Sequence, residues 1–224
     1  MTKPIQIAID GPAAAGKSTI AKIVAEKLGY VYIDTGAMYR AITLKALNEG
    51  INMASNTEAG KLLAETEIDL QPSEDGQLVF LDKKDVTEAI RSQHVTKAVS
   101  EMAAHELVRL RMVELQQQLA EARGVVMDGR DIGTHVLPHA ALKVFMSASV
   151  EERARRRFEE NKKRDILTPL EELQAEIAKR DKMDSEREVA PLRQADDAIY
   201  LDTTALTIDQ AAQKILKLAE ERLV

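Results

Sequence analysis

Gly11-Pro12-Ala13-Ala14-Ala15-Gly16-Lys17-Ser18 spells G-x-x-x-x-G-K-S, the phosphate-cradling P-loop. Its glycines let the backbone turn tightly, so successive N–H groups converge on an anion. Lys17 can then reach the β- and γ-phosphates of a nucleotide, and the Ser18 hydroxyl can ligate Mg²⁺. The alternative, a chance glycine-rich turn, disagrees with the flanks. Ile5–Ile9 reads as a short buried strand, and Ile20, Ile23, Val24 and Leu28 recur at helical spacing, with Gly29 placed to end the helix. The loop therefore meets a helix N-terminus, where phosphate is favoured. The motif implies nucleoside triphosphate binding by Gly11 to Thr19. It does not say what becomes of the γ-phosphate.

Four more constellations could act on such a ligand. Asp34-Thr35-Gly36-Ala37-Met38-Tyr39-Arg40 follows an apolar run, which places Arg40 on the first turns of a helix at the sheet edge that holds the loop. Its guanidinium could fork onto a second phosphate, or be an ordinary surface arginine. Asp128-Gly129-Arg130-Asp131 follows Val125-Val126-Met127, and an acid in that place is where a P-loop protein keeps a metal-associated carboxylate. The plain alternative is a solvated turn. Arg153, Arg156 and Arg157 share one helix face, with Lys162-Lys163-Arg164 beyond. They suit a mobile flap that stabilises a transferring phosphoryl group, a solvated Arg–Glu face, or a nucleic-acid patch. Arg180, Asp184 and Arg187 share another face and offer either two guanidinium forks with a sugar-binding acid or a self-contained salt bridge.

These residues need a frame to hold them. Apolar runs at Ile5–Ile9, Tyr30–Ile33, Val125–Met127, Leu142–Met146 and Ile199–Leu201, mostly separated by helical patterns, predict an α/β fold with a central five-stranded parallel sheet and helices on both faces. Thr207 and Gln210 form a capping box for a last helix. Thr168, Pro169 and Glu171 read as N-cap, first position and capping-box partner of another. Residues 68–104 break the rhythm. Ile68–Leu70 and Leu78–Leu81 flank the turn Pro72–Gly76, so a small antiparallel sheet is expected as an insertion on one side of the core. A long helix from about Glu106 to Ala122, stopped by Gly124, returns the chain.

Composition narrows the classes. The 224 residues suffice for one large domain, and 45% are hydrophobic. There is no cysteine, which excludes disulfides and thiolate metal sites and fits a cytoplasmic setting. No apolar run reaches membrane-spanning length, and no apolar signal region opens the chain. A net charge of −6 and 3% aromatic residues argue against nucleic acid as a partner. His135 and His139 have the spacing of helical metal ligands, but Pro138 intervenes. Asn161–Asp165 has one residue too many for a guanine-reading motif. The methionines are expected to fill the core.

Taken together, Asp10-Gly-Pro…Gly16-Lys17-Ser18, Asp34–Arg40, Asp128–Thr134 and Arg180…Asp184…Arg187-x-x-Ala-Pro-Leu192 resemble the successive signatures of the bacterial cytidylate kinases, over nearly the whole chain. The resemblance implies a nucleoside monophosphate kinase that moves the γ-phosphoryl group of ATP–Mg²⁺ to CMP or dCMP. Arg40, Arg130 and Arg187 would hold the acceptor phosphate. Ser100, Arg109 and Asp131 would read cytosine, and Arg180 and Asp184 would meet the pentose. Thr35 and Tyr39 join this acceptor set. Lys17 and Asp128 are expected catalytic groups, with Arg153 and Arg157 in the lid over ATP. Residues 35–122, including the insertion 68–104, would form the acceptor region and 151–170 the lid of one kinase domain, expected to act as a monomer. The family loop usually has serine where this chain has Ala13, and Thr35 is the candidate to replace that hydroxyl. A kinase for uridylate or shikimate, or a nucleotide-dependent RNA-binding protein, are the competing readings.

Overall fold

The computed structural model describes residues 3–73, 76–121, 124–163 and 165–223. The sequence-derived turn at Glu74–Asp75, the helix end at Ala122 and the cation Arg164 lie outside those residues.

Five parallel strands form the central sheet: β1 (Gln6–Asp10), β2 (Val31–Asp34), β6 (Val125–Gly129), β7 (Leu142–Ser147) and β8 (Ile199–Asp202), in the order β2-β6-β1-β7-β8. All five predicted apolar runs are strands. The near-continuous apolar character of the inner strands follows from burial on both faces, whereas the edge strand β8 leaves Tyr200 exposed. Ile7, Ile9, Val126, Val144 and Met146 pack with α1 (Lys17–Leu28) and α8 (Ile208–Glu220). Ala8, Val125 and Met127 pack with the opposite layer, which includes Val113 and Leu119 of α5 (Glu106–Leu119). Gly29 ends α1 in the left-handed conformation at φ 66°, and Thr207 and Gln210 make the predicted capping box.

The insertion is a separate antiparallel sheet of β3 (Ile68–Ser73), β4 (Gly76–Leu81) and a third strand that the sequence did not signal, β5 (Lys84–Asp85). Val79 and Leu81 bury against Ala37 and Ala41 of α2 (Thr35–Glu49). Gln77 stitches the insertion to the main sheet. Its amide nitrogen donates to the Tyr32 carbonyl at 2.7 Å, and its amide oxygen accepts from Asp34 N at 3.1 Å. Helix α3 (Asn56–Ala64) precedes these strands in the chain and α4 (Gln93–Met102) follows them.

Two helix boundaries differ from expectation. Helix α5 stops at Leu119, with its last N–H bonds made by Ala120. Gly124 serves instead as a close-approach point, because a Cβ there would lie 2.5 Å from the Tyr30 ring. Beyond α6 (Val150–Lys162), helix α7 runs Leu170–Glu186 with Pro169 as its cap residue and no side-chain cap, so Thr168 does not cap it. The extended backbone at Pro169 (ψ 144°) moves the helix start one residue on.

Candidate active site

The carboxyl ends of β1, β2 and β6 open into one cavity of about 540 Å³. Ala13 to Thr19 line one side of it. Thr35, Tyr39, Arg40, Ser100, Arg109, Arg130, Asp131, Arg180, Asp184 and Arg187 line the other, with Asp128 between. Gly11 and Pro12, which open the loop, do not line the cavity. Gly11 is obligatory there, since at φ 149° a Cβ would fall 2.0 Å from the Met146 carbonyl oxygen.

On the loop side, Lys17 folds back over the turn, donating to the Pro12 carbonyl at 2.7 Å, and is 5% exposed. Burial pushes its amine down to about 7, and the neighbouring Arg130 adds to the effect. Ser18 donates to Asp128 Oδ2 at 3.0 Å, and the buried Tyr32 hydroxyl donates to Asp128 Oδ1 at 2.8 Å. Burial, reinforced by Asp34, pushes the Asp128 carboxyl up to about 7. A hydroxyl and a poorly neutralised carboxylate, both hard oxygen donors, fit a Mg²⁺ ion that takes its remaining ligands from phosphate and water. Among the described residues no cluster of three acidic, histidine or cysteine side chains could hold a metal alone.

The acceptor side is crowded with cations. Arg130 pairs with Asp184 at 2.8 Å, and Ser100 donates to the same carboxylate at 3.2 Å. Arg109 and Asp131 are paired and buried, with Arg187 3.5 Å from the other Asp131 oxygen. The Arg109 guanidinium lies 5.5 Å from the Tyr39 ring centre. Arg40 donates to Thr96 at 2.8 Å. Burial, then the surrounding arginines, push Arg180 down to about 9; burial and Arg157 push Arg40 down to about 10. Arg180 Nε, Arg109 Nε and the Tyr39 hydroxyl are buried without hydrogen-bond partners. Buried cations and idle donors around an open space call for an anionic ligand.

The lid arginines divide. Arg157 lines the cavity, its Nε 3.8 Å from Glu160. Arg153 does not reach it. It is 4% exposed and bonds the carbonyls of Ala13 and Ala148 and, at 2.6 Å, Asp181. Asp181 also accepts from Ala13 N at 3.4 Å. The expectation that Arg153 meets the transferring phosphate is therefore corrected: its fork is used to fasten α6 and α7 to the loop. Arg156 does similar work through Ala15 and Thr203. The self-contained Arg180–Asp184–Arg187 bridge is also absent, because Asp184 faces Arg130. The Thr35 proton is committed to the Asp128 carbonyl at 2.7 Å, so Thr35 does not replace the hydroxyl missing at Ala13 by donation. Sequence reasoning missed Thr96, Tyr32, Gln77 and Asp181. Thr96 and Ser100 are one helical turn apart, a usable signal. The others look like core or surface residues until the fold is known.

Arg153→Ala is expected to loosen the loop, raising the KM for ATP more than it lowers kcat and lowering the thermal midpoint by several degrees, because it leaves Asp181 without its cation. Steady-state kinetics with thermal melts read both. A loss confined to kcat, with unchanged stability, would put Arg153 on the reacting phosphate after all.

The profile of the cytidylate kinase family matches residues 7–221 of this chain. The chain belongs to that family. The cytidylate kinase of Lysinibacillus sphaericus (strain C3-41) is 64% identical over 224 residues, covering all of both chains, and that of Bacillus subtilis (strain 168) is 58% identical over 99% of each. A solved structure of an uncharacterized protein from Eubacterium ventriosum ATCC 27560 aligns at a TM-score of 0.54 and 15% identity, over 98% of this chain and 99% of that one, a likeness of fold. Membership of the cytidylate kinase family makes the chain an ATP-dependent phosphotransferase, a nucleoside monophosphate kinase, as its motifs implied. No helix among the described residues is long and apolar enough to cross a membrane.

Proposed function

We propose that this cavity transfers the γ-phosphoryl group of ATP–Mg²⁺ directly to the phosphate of CMP or dCMP, giving ADP and CDP or dCDP. One observation carries the reading: the P-loop lysine and the arginines Arg40, Arg130, Arg180 and Arg187 line a single space. Donor tail and acceptor head then meet there with their charge neutralised.

The acceptor phosphate oxygen is already ionised at neutral pH, so no general base is required. The oxygen attacks the γ-phosphorus, the bond to the β–γ bridging oxygen breaks, and ADP leaves with that electron pair. Lys17 and Arg157 stabilise charge on the transferring group, and Arg40, Arg130 and Arg187 hold the attacking phosphate in line. Ser18, with Asp128 behind it, would hold Mg²⁺, which would supply positive charge to the transferring group. Asp131, Arg109 and Ser100 read the cytosine edge, while Asp184 and Arg180 address the pentose. Closure of residues 35–122 over the acceptor and of 151–170 over ATP excludes water as a rival acceptor. The cytoplasm, where both charged nucleotides are present, is the setting that fits.

With ATP, Mg²⁺ and CMP, ion-exchange analysis is expected to find ADP and CDP in equal amounts. ADP formed with free phosphate and no CDP would refute direct transfer. Arg157→Ala is expected to lower kcat by about 10²-fold with a smaller change in the KM for CMP. A pure affinity loss would remove Arg157 from the groups that act on the transition state.

A further inference from the structure

The backbone that carries the base-reading acid is anchored from behind the cavity. Asp10, the last residue of β1, is 5% exposed and does not line the cavity. Its Oδ1 accepts from Ile132 N at 2.8 Å and its Oδ2 from Gly133 N at 2.7 Å. Those two N–H groups open the π-helical turn Ile132–Val136, where no helical carbonyl precedes them. The residue immediately before is Asp131, at φ −143° and ψ 25°. On the other side of this stretch the Thr35 hydroxyl holds the Asp128 carbonyl. Asp131 is thus suspended between two fixed backbone points, one of them set by a charged side chain from another strand.

Gly133 makes the approach possible. A Cβ there would lie 3.1 Å from Lys143 Cδ and 3.3 Å from Asp10 Oδ2, tighter than ordinary packing. Both carboxylate oxygens of Asp10 are engaged by charge-assisted bonds, the stronger class. Burial pushes the carboxyl up to about 6, and the bonds from Gly133 and Ile132 oppose that rise.

We propose that Asp10 is a positioning residue for acceptor selectivity: by clamping Ile132 and Gly133 it fixes the angle at which Asp131 presents its carboxylate to the base, without itself touching either substrate. The proposal rests on the reading that Asp131 recognises cytosine. Small displacements matter at such a site, since about 1 Å of misplacement can cost about 10²-fold in rate.

Asp10→Asn keeps the shape but turns an NH₂ group toward one of the two N–H donors. Initial rates with CMP and UMP, at varied ATP, are the measurement, with circular dichroism melts on the same samples. The ratio of kcat/KM for CMP over UMP is expected to fall about 10-fold or more, with the KM for ATP within about 2-fold of the parent. Gly133→Ala, which disturbs the same clamp from the opposite side, is expected to lower the ratio too, and it decides alone if Asp10→Asn does not fold. Asp10 also precedes the P-loop, so a purely structural role predicts a raised KM for ATP with an unchanged CMP/UMP ratio, and that result would overturn the proposal. Asp131→Asn belongs in the same panel. If it lowers the ratio while Asp10→Asn and Gly133→Ala do not, the positioning role fails and base reading stands. If Asp131→Asn leaves the ratio unmoved, base reading fails and takes the positioning role with it.

Discussion

Lys17→Ala is expected to lower kcat by about 10³-fold while the protein stays folded. Lys17 sits at the first turn of α1, is 5% exposed, and has its amine held over the loop by the Pro12 carbonyl. Without a nucleotide the buried amine is disfavoured as a cation, which is why it is pushed down to about 7. A triphosphate supplies the anion that reverses this, so the lysine is charged where charge develops on the transferring group. Alanine removes that cation from a water-poor site and leaves the loop backbone to act alone. No comparable loss of stability is expected, because the native state no longer has to bury an amine. A coupled assay and a thermal melt of the same preparation read the two effects. Turnover within about 10-fold of the parent would exclude this loop as the place where the γ-phosphate is held.

Asp131→Asn is expected to reduce the preference for CMP over UMP by about 10²-fold or more. Cytosine presents an exocyclic amine donor, which a buried carboxylate accepts. Uracil presents a carbonyl there, leaving two acceptors face to face, and sites built on such contacts discriminate by about 10⁴–10⁵-fold. An asparagine can turn either its oxygen or its nitrogen to the base, so the penalty against uracil is lifted. The same change touches stability. Asp131 is buried between Arg109 and Arg187, with which it is paired. Leaving two guanidiniums on a neutral partner is expected to cost about 3 kcal/mol, read by urea unfolding. Unchanged selectivity would move base reading to other residues of the cavity.

Much of this was written in the sequence. The inner strands were legible because they are buried on both faces, the edge strand β8 by its short apolar run although Tyr200 is exposed, and the P-loop because its glycines answer to backbone geometry that few other residues meet. Arg40 and Arg130 stood out through their place after strands, Arg180 and Arg187 through helical spacing, and Arg109 only through the family resemblance; ten expected acceptor residues do line the cavity. What stayed hidden was pairing between distant segments. Spacing put Arg153 on the same helix face as Arg157, yet only the fold shows that one reaches the cavity while the other is fastened to Asp181. Spacing likewise joined Arg180 to Asp184, whereas the nearer partner of Asp184 comes from β6 and its following turn. The Gln77 stitch and the Asp10 clamp join residues 43 or more positions apart, and no local periodicity encodes them.

A coupled assay of ADP formation across CMP, dCMP, UMP and AMP tests the two facing anion sites most directly. The account predicts rapid ADP release with CMP or dCMP, little with UMP or AMP, and almost none with ATP alone. Equal rates with all four acceptors, or ATP consumption that needs no acceptor, would contradict it.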